Sequence, residues 1–207
     1  MLDEEAKATQ EVARFGTKAL DSGDKLGSFL SKVFGTVPSD VVGVLGGDWL
    51  HHVRIRNAVK LAQRTEEILR ERGISPEPMS PSVAMPILKA GQDETREELR
   101  ELWARLLANG MDPERRSLIR QSIIEAVKGF DPPDAIMLRK WYELSQEESD
   151  TLQVFRTLYD ILKVSDDQFN LSVRNLVRLE CIEAFGPQNA YSRFAPLGRE
   201  VIRATSL

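Results

Sequence analysis

Apolar residues recur every three or four positions along most of this chain, the spacing that places them on one face of an α-helix. The clearest example runs from Asp93 to Asn109, where the apolar stripe consists of Leu99, Leu102, Trp103, Leu106 and Leu107. Patterns of this kind predict helices over residues 3–21, 48–72, 82–90, 93–109, 112–129, 131–142, 147–162 and 167–184. The fold is therefore predicted to be mainly α-helical.

Proline divides these helices into units. Three prolines fall within six residues of the segment 73–81, a density that a helix cannot accommodate, because each proline removes a backbone hydrogen bond. We therefore expect an N-terminal helical arm over residues 1–73 and a central helical bundle over residues 74–145. Asp112 and Pro113 predict the start of a helix, because aspartate caps free amide groups and proline suits the first helical position.

The pattern changes in the C-terminal part of the chain. The helix predicted over residues 167–184 is followed by Gly-Pro-Gln-Asn at 186–189, which favours a tight turn. Tyr191 and Phe194 suit strand positions after this turn, and a short helix follows. A helix, a β-hairpin and a helix make up the end of a winged-helix unit. Residues 146–207 are therefore predicted to be winged-helix-like, with a short β-hairpin as the wing.

Composition and charge limit the possible classes of protein. The chain has 207 residues, 42% of them hydrophobic, which is enough to bury a core. Its net charge of −4 gives no overall field that would attract nucleic acid or an anionic membrane. The single cysteine, Cys181, lies among apolar residues and is expected to be buried. With no secretory signal and no membrane span predicted, we expect a cytoplasmic protein.

The sequence offers no constellation typical of catalysis. Its two histidines, His51 and His52, are adjacent on a predicted helix and point in different directions, so they cannot share one metal ion. Most acidic residues alternate with arginine at helix-surface spacing, which predicts a solvated face. This face would include Glu66, Glu67, Asp93, Glu94, Glu97 and Glu98. We therefore expect no enzyme activity, catalytic residue, cofactor, metal site or small-molecule substrate.

Residues 24–47 combine apolar side chains with many glycines, unlike the rest of the chain. The candidate contact residues in this segment are Phe29, Leu30, Val33 and Phe34. They could meet a membrane surface after release from the protein, which would perturb the membrane without chemistry. The alternative is that they pack on the bundle or on a second copy of the chain.

Arginines in the C-terminal unit form a second candidate contact surface. Arg174 and Arg178 lie one turn apart on a predicted helix, Arg193 lies on the wing, and Arg199 follows it. Winged helices use such positions to bind DNA. Three glutamates lie among these arginines, and they reduce the positive charge on which phosphate binding depends: Glu180, Glu183 and Glu200. Nucleic acid and a partner protein therefore both remain candidates.

Four stretches of the sequence resemble the abortive-infection alpha family, a group of bacterial proteins linked to phage resistance. They read PSVAMPILKA at 81–90, LRELWARLLANGMD at 99–112, NLVRLECIE at 175–183 and PLGREVIRA at 196–204. The motif Trp-Ala-x-Leu-Leu-Ala-Asn-x-Met-Asp in the second stretch is not a general helix pattern. The resemblance covers roughly residues 75–205.

This resemblance implies a role in antiphage defence, and because the family has no established catalytic motif, it implies no catalytic residue. The sequence therefore predicts a non-enzymatic abortive-infection protein that acts through helical interaction surfaces, with membrane perturbation by residues 24–47 as one mechanism. The alternative function is a winged-helix regulator that binds DNA. Expected partners are another protein or a second copy of the chain, with DNA and a membrane surface as further candidates. A peripheral membrane location is the alternative to a purely cytoplasmic one.

Overall fold

The computed structural model describes residues 25–35, 49–147, 151–185 and 191–206, which form nine α-helices and one antiparallel hairpin. The helices are α1 (residues 25–34), α2 (Trp49–Glu71), α3 (Pro81–Asp93), α4 (Glu97–Met111), α5 (Gln121–Lys128), α6 (Pro132–Glu147), α7 (Thr151–Leu162), α8 (Asp166–Arg178) and α9 (Pro196–Thr205). Strand β1 (Ile182–Phe185) pairs with β2 (Tyr191–Phe194), with Ile182 opposite Phe194. The predicted mainly α fold with a short C-terminal hairpin is confirmed.

Some of the predictions from the sequence fall on residues that the structure does not describe. The helix predicted over residues 3–21 and, from the glycine-rich stretch, residues 24 and 36–47 lie outside the described residues. The division into arm, bundle and C-terminal unit stays a prediction.

Helix α4 lies at the centre of the core, in contact with α2, α3, α6 and α9. Its predicted apolar stripe is largely buried, with Leu102 only half-buried because it lies towards the edge of the stripe. The fully buried members are Leu99, Trp103, Leu106 and Leu107. Burying a large apolar side chain contributes about 1.5–3 kcal/mol, so this one helix supplies much of the stability of the bundle.

The helix predicted to begin at Asp112 begins instead at Gln121. Residues 112–120 form a turn that contains a short 3₁₀ helix, Arg116–Leu118. The Asp112 carboxylate does accept a hydrogen bond from the Glu114 amide at 3.0 Å, as a cap would. It also binds Arg72 at 2.8 Å, and this contact with α2 fixes its orientation. The capping signal was therefore present, but it starts a turn rather than a long helix.

Helix α8 ends at Arg178, whereas the sequence predicted a helix as far as residue 184. Glu180 adopts a left-handed backbone conformation with φ of 57°, which ends the helix and directs the chain into β1. Gly198, near the start of α9, packs directly against this turn. A Cβ atom at position 198 would lie 1.9 Å from the Cys181 carbonyl oxygen, so only glycine fits the observed packing.

A buried polar cluster joins α2 and α4 to the end of α9. Asn109 is fully buried and donates hydrogen bonds to the carbonyl oxygens of Ala204 (2.8 Å) and Ser206 (3.0 Å). Its own side-chain oxygen accepts a 2.6 Å hydrogen bond from Arg72, which also binds Asp112. We call this set of five residues the clamp. Because its hydrogen bonds are buried or partly buried and share the Asn109 and Arg72 side chains, the clamp fixes the relative positions of three helices.

Candidate functional site

Helix α8 presents a buried face and an exposed face. It begins with a capping box, in which the side chains of Ser165 and Gln168 each accept a hydrogen bond from the other residue's backbone amide. The buried face consists of Phe169, Ser172, Val173 and Leu176. The opposite face, which we call the α8 face, consists of Asn170, Leu171, Arg174, Val177 and Arg178, all of them exposed. These five positions fall within one third of the helix circumference, so they form one continuous surface.

Two apolar side chains are exposed on the α8 face. Leu171 is 68% exposed and Val177 is 37% exposed. Within the part of the chain that the structure describes, the exposed large apolar residues all belong to α7 or α8; the other two are Tyr159 and Ile161. Leu171 and Val177 lie on the same exposed face of one helix, and exposed apolar side chains that share a surface mark a candidate contact site.

The sequence analysis did not identify Leu171 as a site residue, although the sequence holds a signal for it. The buried residues of α8 follow the helical spacing from Phe169 through Val173 to Leu176. Leu171 lies two positions after Phe169, about 200° around the helix, and so falls on the opposite side. A leucine outside the apolar stripe of an amphipathic helix indicates either a partner or an exposed position without a role.

The structure brings two of the four predicted arginines together on the α8 face. Arg174 is exposed and makes no ion pair with any residue that the structure describes. Arg178 donates to the Asn175 side-chain oxygen at 2.6 Å, and Asn175 in turn donates to the buried Asp134 carboxylate at 2.6 Å. Arg178 is therefore held in place by a chain of hydrogen bonds, whereas Arg174 is available for a partner.

The other two predicted arginines make local contacts. Arg193 lies on β2 and forms an ion pair of 2.6 Å with Glu183 on the paired strand β1. Arg199 lies on α9 and donates to the Phe194 carbonyl oxygen at 2.7 Å. The Glu183 carboxylate reduces the charge that Arg193 can offer to a phosphate group. A nucleic-acid or protein contact by these arginines stays a prediction.

The candidate membrane-contact residues lie on α1. Phe29, Leu30 and Val33 are buried in the hydrophobic core, and Phe34 is half-buried against it. The Val33 carbonyl oxygen accepts a 2.8 Å hydrogen bond from the Met79 amide, which ties α1 to the segment before α3. A membrane contact by these residues stays a prediction, and it would require α1 to leave the core. No helix in the described residues is long and apolar enough to cross a bilayer.

A cleft of about 540 Å³ lies between α2, α4 and α6. Five of its lining residues are basic: Lys60, Arg64, Arg100, Arg105 and Arg139. The remaining lining residues are Glu97, Glu98 and Glu101, with Leu61, Leu102, Ala135 and Ile136 as the apolar part. The sequence analysis missed this cleft, because its three walls come from helices that are far apart in the chain.

Glu101 organises the inner wall of the cleft. Its two carboxylate oxygens accept hydrogen bonds from Arg64 at 2.7 Å and from Arg105 at 2.8 Å. Burial of the Glu101 carboxyl group opposes its ionisation, but the hydrogen bonds from the two guanidinium groups outweigh this and lower its pKa. The same interaction raises the pKa of Arg64. The three side chains therefore stay charged and fixed.

Cys181 is fully buried, as the sequence predicted. Burial of its thiol, with a smaller contribution from the negative charge of Asp134, raises the pKa of Cys181 to about 12. Since the thiolate is the reactive form of cysteine, Cys181 is not an activated nucleophile at neutral pH.

Glu94 is an exception to the solvated acidic face that the sequence predicted. Its side chain is buried, and both carboxylate oxygens accept hydrogen bonds of 2.9 Å from the Arg96 guanidinium. Burial opposes ionisation of Glu94, but the bonds from Arg96 outweigh it and lower the pKa of Glu94. Because Arg96 also binds Asp131 at 2.8 Å, the pair links the turn before α4 to the start of α6.

His51 and His52 are adjacent on α2. Among residues 25–35, 49–147, 151–185 and 191–206, no group of three or more histidine, cysteine, aspartate or glutamate side chains is arranged to hold a metal ion.

Comparison with known proteins identifies a family. The family model described as abortive infection alpha matches residues 56–198, more than half of the chain. Neither a curated protein nor a solved structure matches. The matched range contains the cleft, the α8 face and the hairpin, whereas α1 lies outside it.

Proposed function

Since this chain belongs to the abortive infection alpha family, we propose that it acts in antiphage defence as a non-enzymatic protein that binds a partner protein through the α8 face. Family membership confirms the resemblance that the sequence indicated, and it fits an abortive-infection role. The observation that carries the proposed contact surface is the 68% exposure of Leu171, a large apolar side chain on the solvent-facing side of α8.

The composition of the α8 face suits a protein partner. Burying an exposed leucine side chain contributes about 1.5–3 kcal/mol, which is a large share of the binding free energy of a small interface. Arginine is enriched in protein interfaces, where its guanidinium group can bind carboxylates in a fixed geometry. On the α8 face, Arg174 lies about one helical turn after Leu171, and Arg178 lies one turn further on. This combination favours an apolar partner surface edged by carboxylates.

A DNA-binding regulator is the second candidate function. It is supported by the order of α7, α8, the hairpin and α9, which matches the end of a winged helix, and by the exposure of Arg174. The charges near the start of α8 oppose it, because Asp166 and Asp167 occupy the first turn of the helix. Negative charge there would repel the DNA backbone. The protein partner is therefore the favoured candidate.

The test replaces Leu171 by aspartate and measures phage resistance. Cells that express the Leu171→Asp variant are expected to lose protection against phages that the wild-type protein restricts, because a buried charge is unfavourable in an apolar interface. Its melting temperature should stay close to that of the wild type, since Leu171 contributes little to the core. Ser122→Asp on α5 is the control, as it adds the same charge at another exposed helix position.

Two outcomes would count against this proposal. Full protection by the Leu171→Asp variant would show that the α8 face is not the contact surface. Alternatively, a salt-dependent mobility shift of duplex DNA that Arg174→Glu abolishes and Leu171→Asp preserves would favour the DNA-binding function.

A further inference from the structure

Each wall of the cleft between α2, α4 and α6 contributes a cation that no carboxylate holds at hydrogen-bonding distance. On α2, Lys60 has no ion pair among the residues that the structure describes. On α4, the nearest carboxylate oxygen to Arg100 belongs to Glu97, at 4.0 Å. On α6, Arg139 lies 3.7 Å from Glu143. Three helices therefore direct one weakly paired cation each to the same concave surface.

Arg100 is the most unusual of these cations. Its side chain is only 19% exposed, while its distant partner Glu97 is 90% exposed and so mostly solvated. Removing a guanidinium group from water is unfavourable unless hydrogen bonds or an opposite charge compensate it. A bound anion would supply that compensation.

The charged side chains on the inner wall of the cleft already have partners, so they would not bind the anion in place of Lys60, Arg100 and Arg139. Glu101 is already bound by Arg64 and Arg105; Arg64 also pairs with Glu67 and Glu71, and Arg105 also donates to the Thr205 carbonyl oxygen, so these side chains already have partners. The wall also includes Leu61 and Ile136, which give the cleft an apolar part next to its charged part. A ligand that matches the charged part and the apolar part of the cleft has an anionic group and a flat or apolar group.

We infer that this cleft binds a nucleotide, with its phosphate groups at Lys60, Arg100 and Arg139 and its base against the apolar part. Arginine binds phosphate with two parallel hydrogen bonds, and lysine adds a point charge. A volume of about 540 Å³ lies within the range of about 300–1,000 Å³ that is usual for small-molecule sites. This site is separate from the α8 face, and the inference does not depend on the proposed partner protein.

A compact nucleotide fits the cleft better than a nucleic-acid strand. Glu97 and Glu98 also line the cleft and are exposed. Their charges would repel the phosphates of a strand that continued past the rim, whereas a single nucleotide ends before it reaches them.

Calorimetric titration of the full chain with ADP, pyrophosphate and adenosine tests this inference. We expect ADP to bind, pyrophosphate to bind more weakly because it lacks the base, and adenosine not to bind because it lacks the charge. ADP should also raise the melting temperature, since a ligand that binds only the folded state stabilises it. Absence of ADP binding, or equal binding of ADP and pyrophosphate, would overturn the inference.

Substitutions locate the site. Lys60→Gln and Arg139→Gln should each weaken ADP binding about tenfold or more, the usual effect of losing a charge-assisted hydrogen bond. Lys60 is exposed and the Arg139 side chain is 50% exposed, so these variants are expected to fold normally. Arg100→Gln should weaken binding further, and its melting temperature without ligand reports any loss of packing.

Arg120→Gln is the matched control, because Arg120 is exposed and does not line the cleft. It should bind ADP as the wild type does. Equal weakening in Arg120→Gln and Arg139→Gln would indicate non-specific attraction by positive charge and would overturn the site. Phage resistance of the Leu171→Asp variant is measured separately, so failure of one proposal does not imply failure of the other.

Discussion

In the clamp, the polar side chains have hydrogen-bond partners within the protein, whereas on the α8 face only some of them do. In the clamp, the Asn109 side chain is fully buried and makes three hydrogen bonds with Arg72, Ala204 and Ser206. On the α8 face, Arg174 is exposed without an ion pair among the described residues, and it lies beside the exposed Leu171. The difference indicates that the clamp stabilises the fold, while the α8 face remains available for binding.

This comparison changes the interpretation of the family motif at 99–112. Its distinctive members lie in the core or the clamp, including Trp103 packed inside the bundle and Asp112 bound to Arg72. Buried residues of this kind specify packing and relative helix position. The motif that makes the family recognisable therefore encodes the scaffold, and function has to be sought on surfaces around it.

Replacing an asparagine by alanine in the clamp and on the α8 face gives the largest expected difference in the free energy of unfolding. Asn109→Ala should lower the free energy of unfolding by about 2–4 kcal/mol, because it removes three hydrogen bonds and leaves the buried Ala204 carbonyl group without the amide that it accepts from. Asn170→Ala on the α8 face should change it by less than about 0.5 kcal/mol. Chemical denaturation measures both values, and similar losses in the two variants would refute the contrast.

A smaller effect is expected where α9 meets the turn after α8. Gly198→Ala should lower stability by about 1–3 kcal/mol, because the new methyl group would overlap the Cys181 carbonyl group and force the backbone apart. Gly27→Ala is the control: a Cβ atom there meets nothing within 4 Å, and alanine favours the helix by up to about 1 kcal/mol. Thermal unfolding of both variants should therefore show shifts of opposite sign.

The smallest expected effect is a change in how the stability of the fold depends on pH. The pKa of Glu101 is lowered in the folded protein, so its ion pairs stabilise the fold above the ordinary glutamate pKa and are lost as pH falls through the lowered value. Glu101→Gln should remove about 1 kcal/mol of stability at pH 7 and flatten the loss of stability below about pH 4.5. Glu98→Gln, which removes an exposed carboxylate without a described ion pair, is the control and should change stability at pH 7 by less than about 0.5 kcal/mol.

Much of the fold could be predicted from local sequence signals. Helical spacing located α2, α4 and α7, and a turn signal between aromatic residues located the hairpin. The apolar neighbours of Cys181 correctly predicted its burial. These features depend on residues that are close in the sequence, which is why a single chain reveals them.

The errors arose where distant residues meet. The turn at 112–120 depends on Arg72, 40 residues from Asp112 along the chain. The end of α8 depends on close packing between Cys181 and Gly198. The cleft depends on three separate helices, and no periodicity along one helix indicates where its neighbours lie. These features depend on tertiary packing rather than on the conformational preferences of residues that are close in the sequence.

The clamp also constrains when the protein can finish folding during its synthesis. Asn109 binds carbonyl groups that lie 95 and 97 residues further along the chain. At a translation rate of about 5–20 residues per second, these partners are made about 5–20 s after Asn109 leaves the ribosome's active centre. Throughout that interval, the Asn109 amide group binds water in place of these carbonyl groups. Helix α4 can therefore reach its final packing only after residues 204–206 have been made.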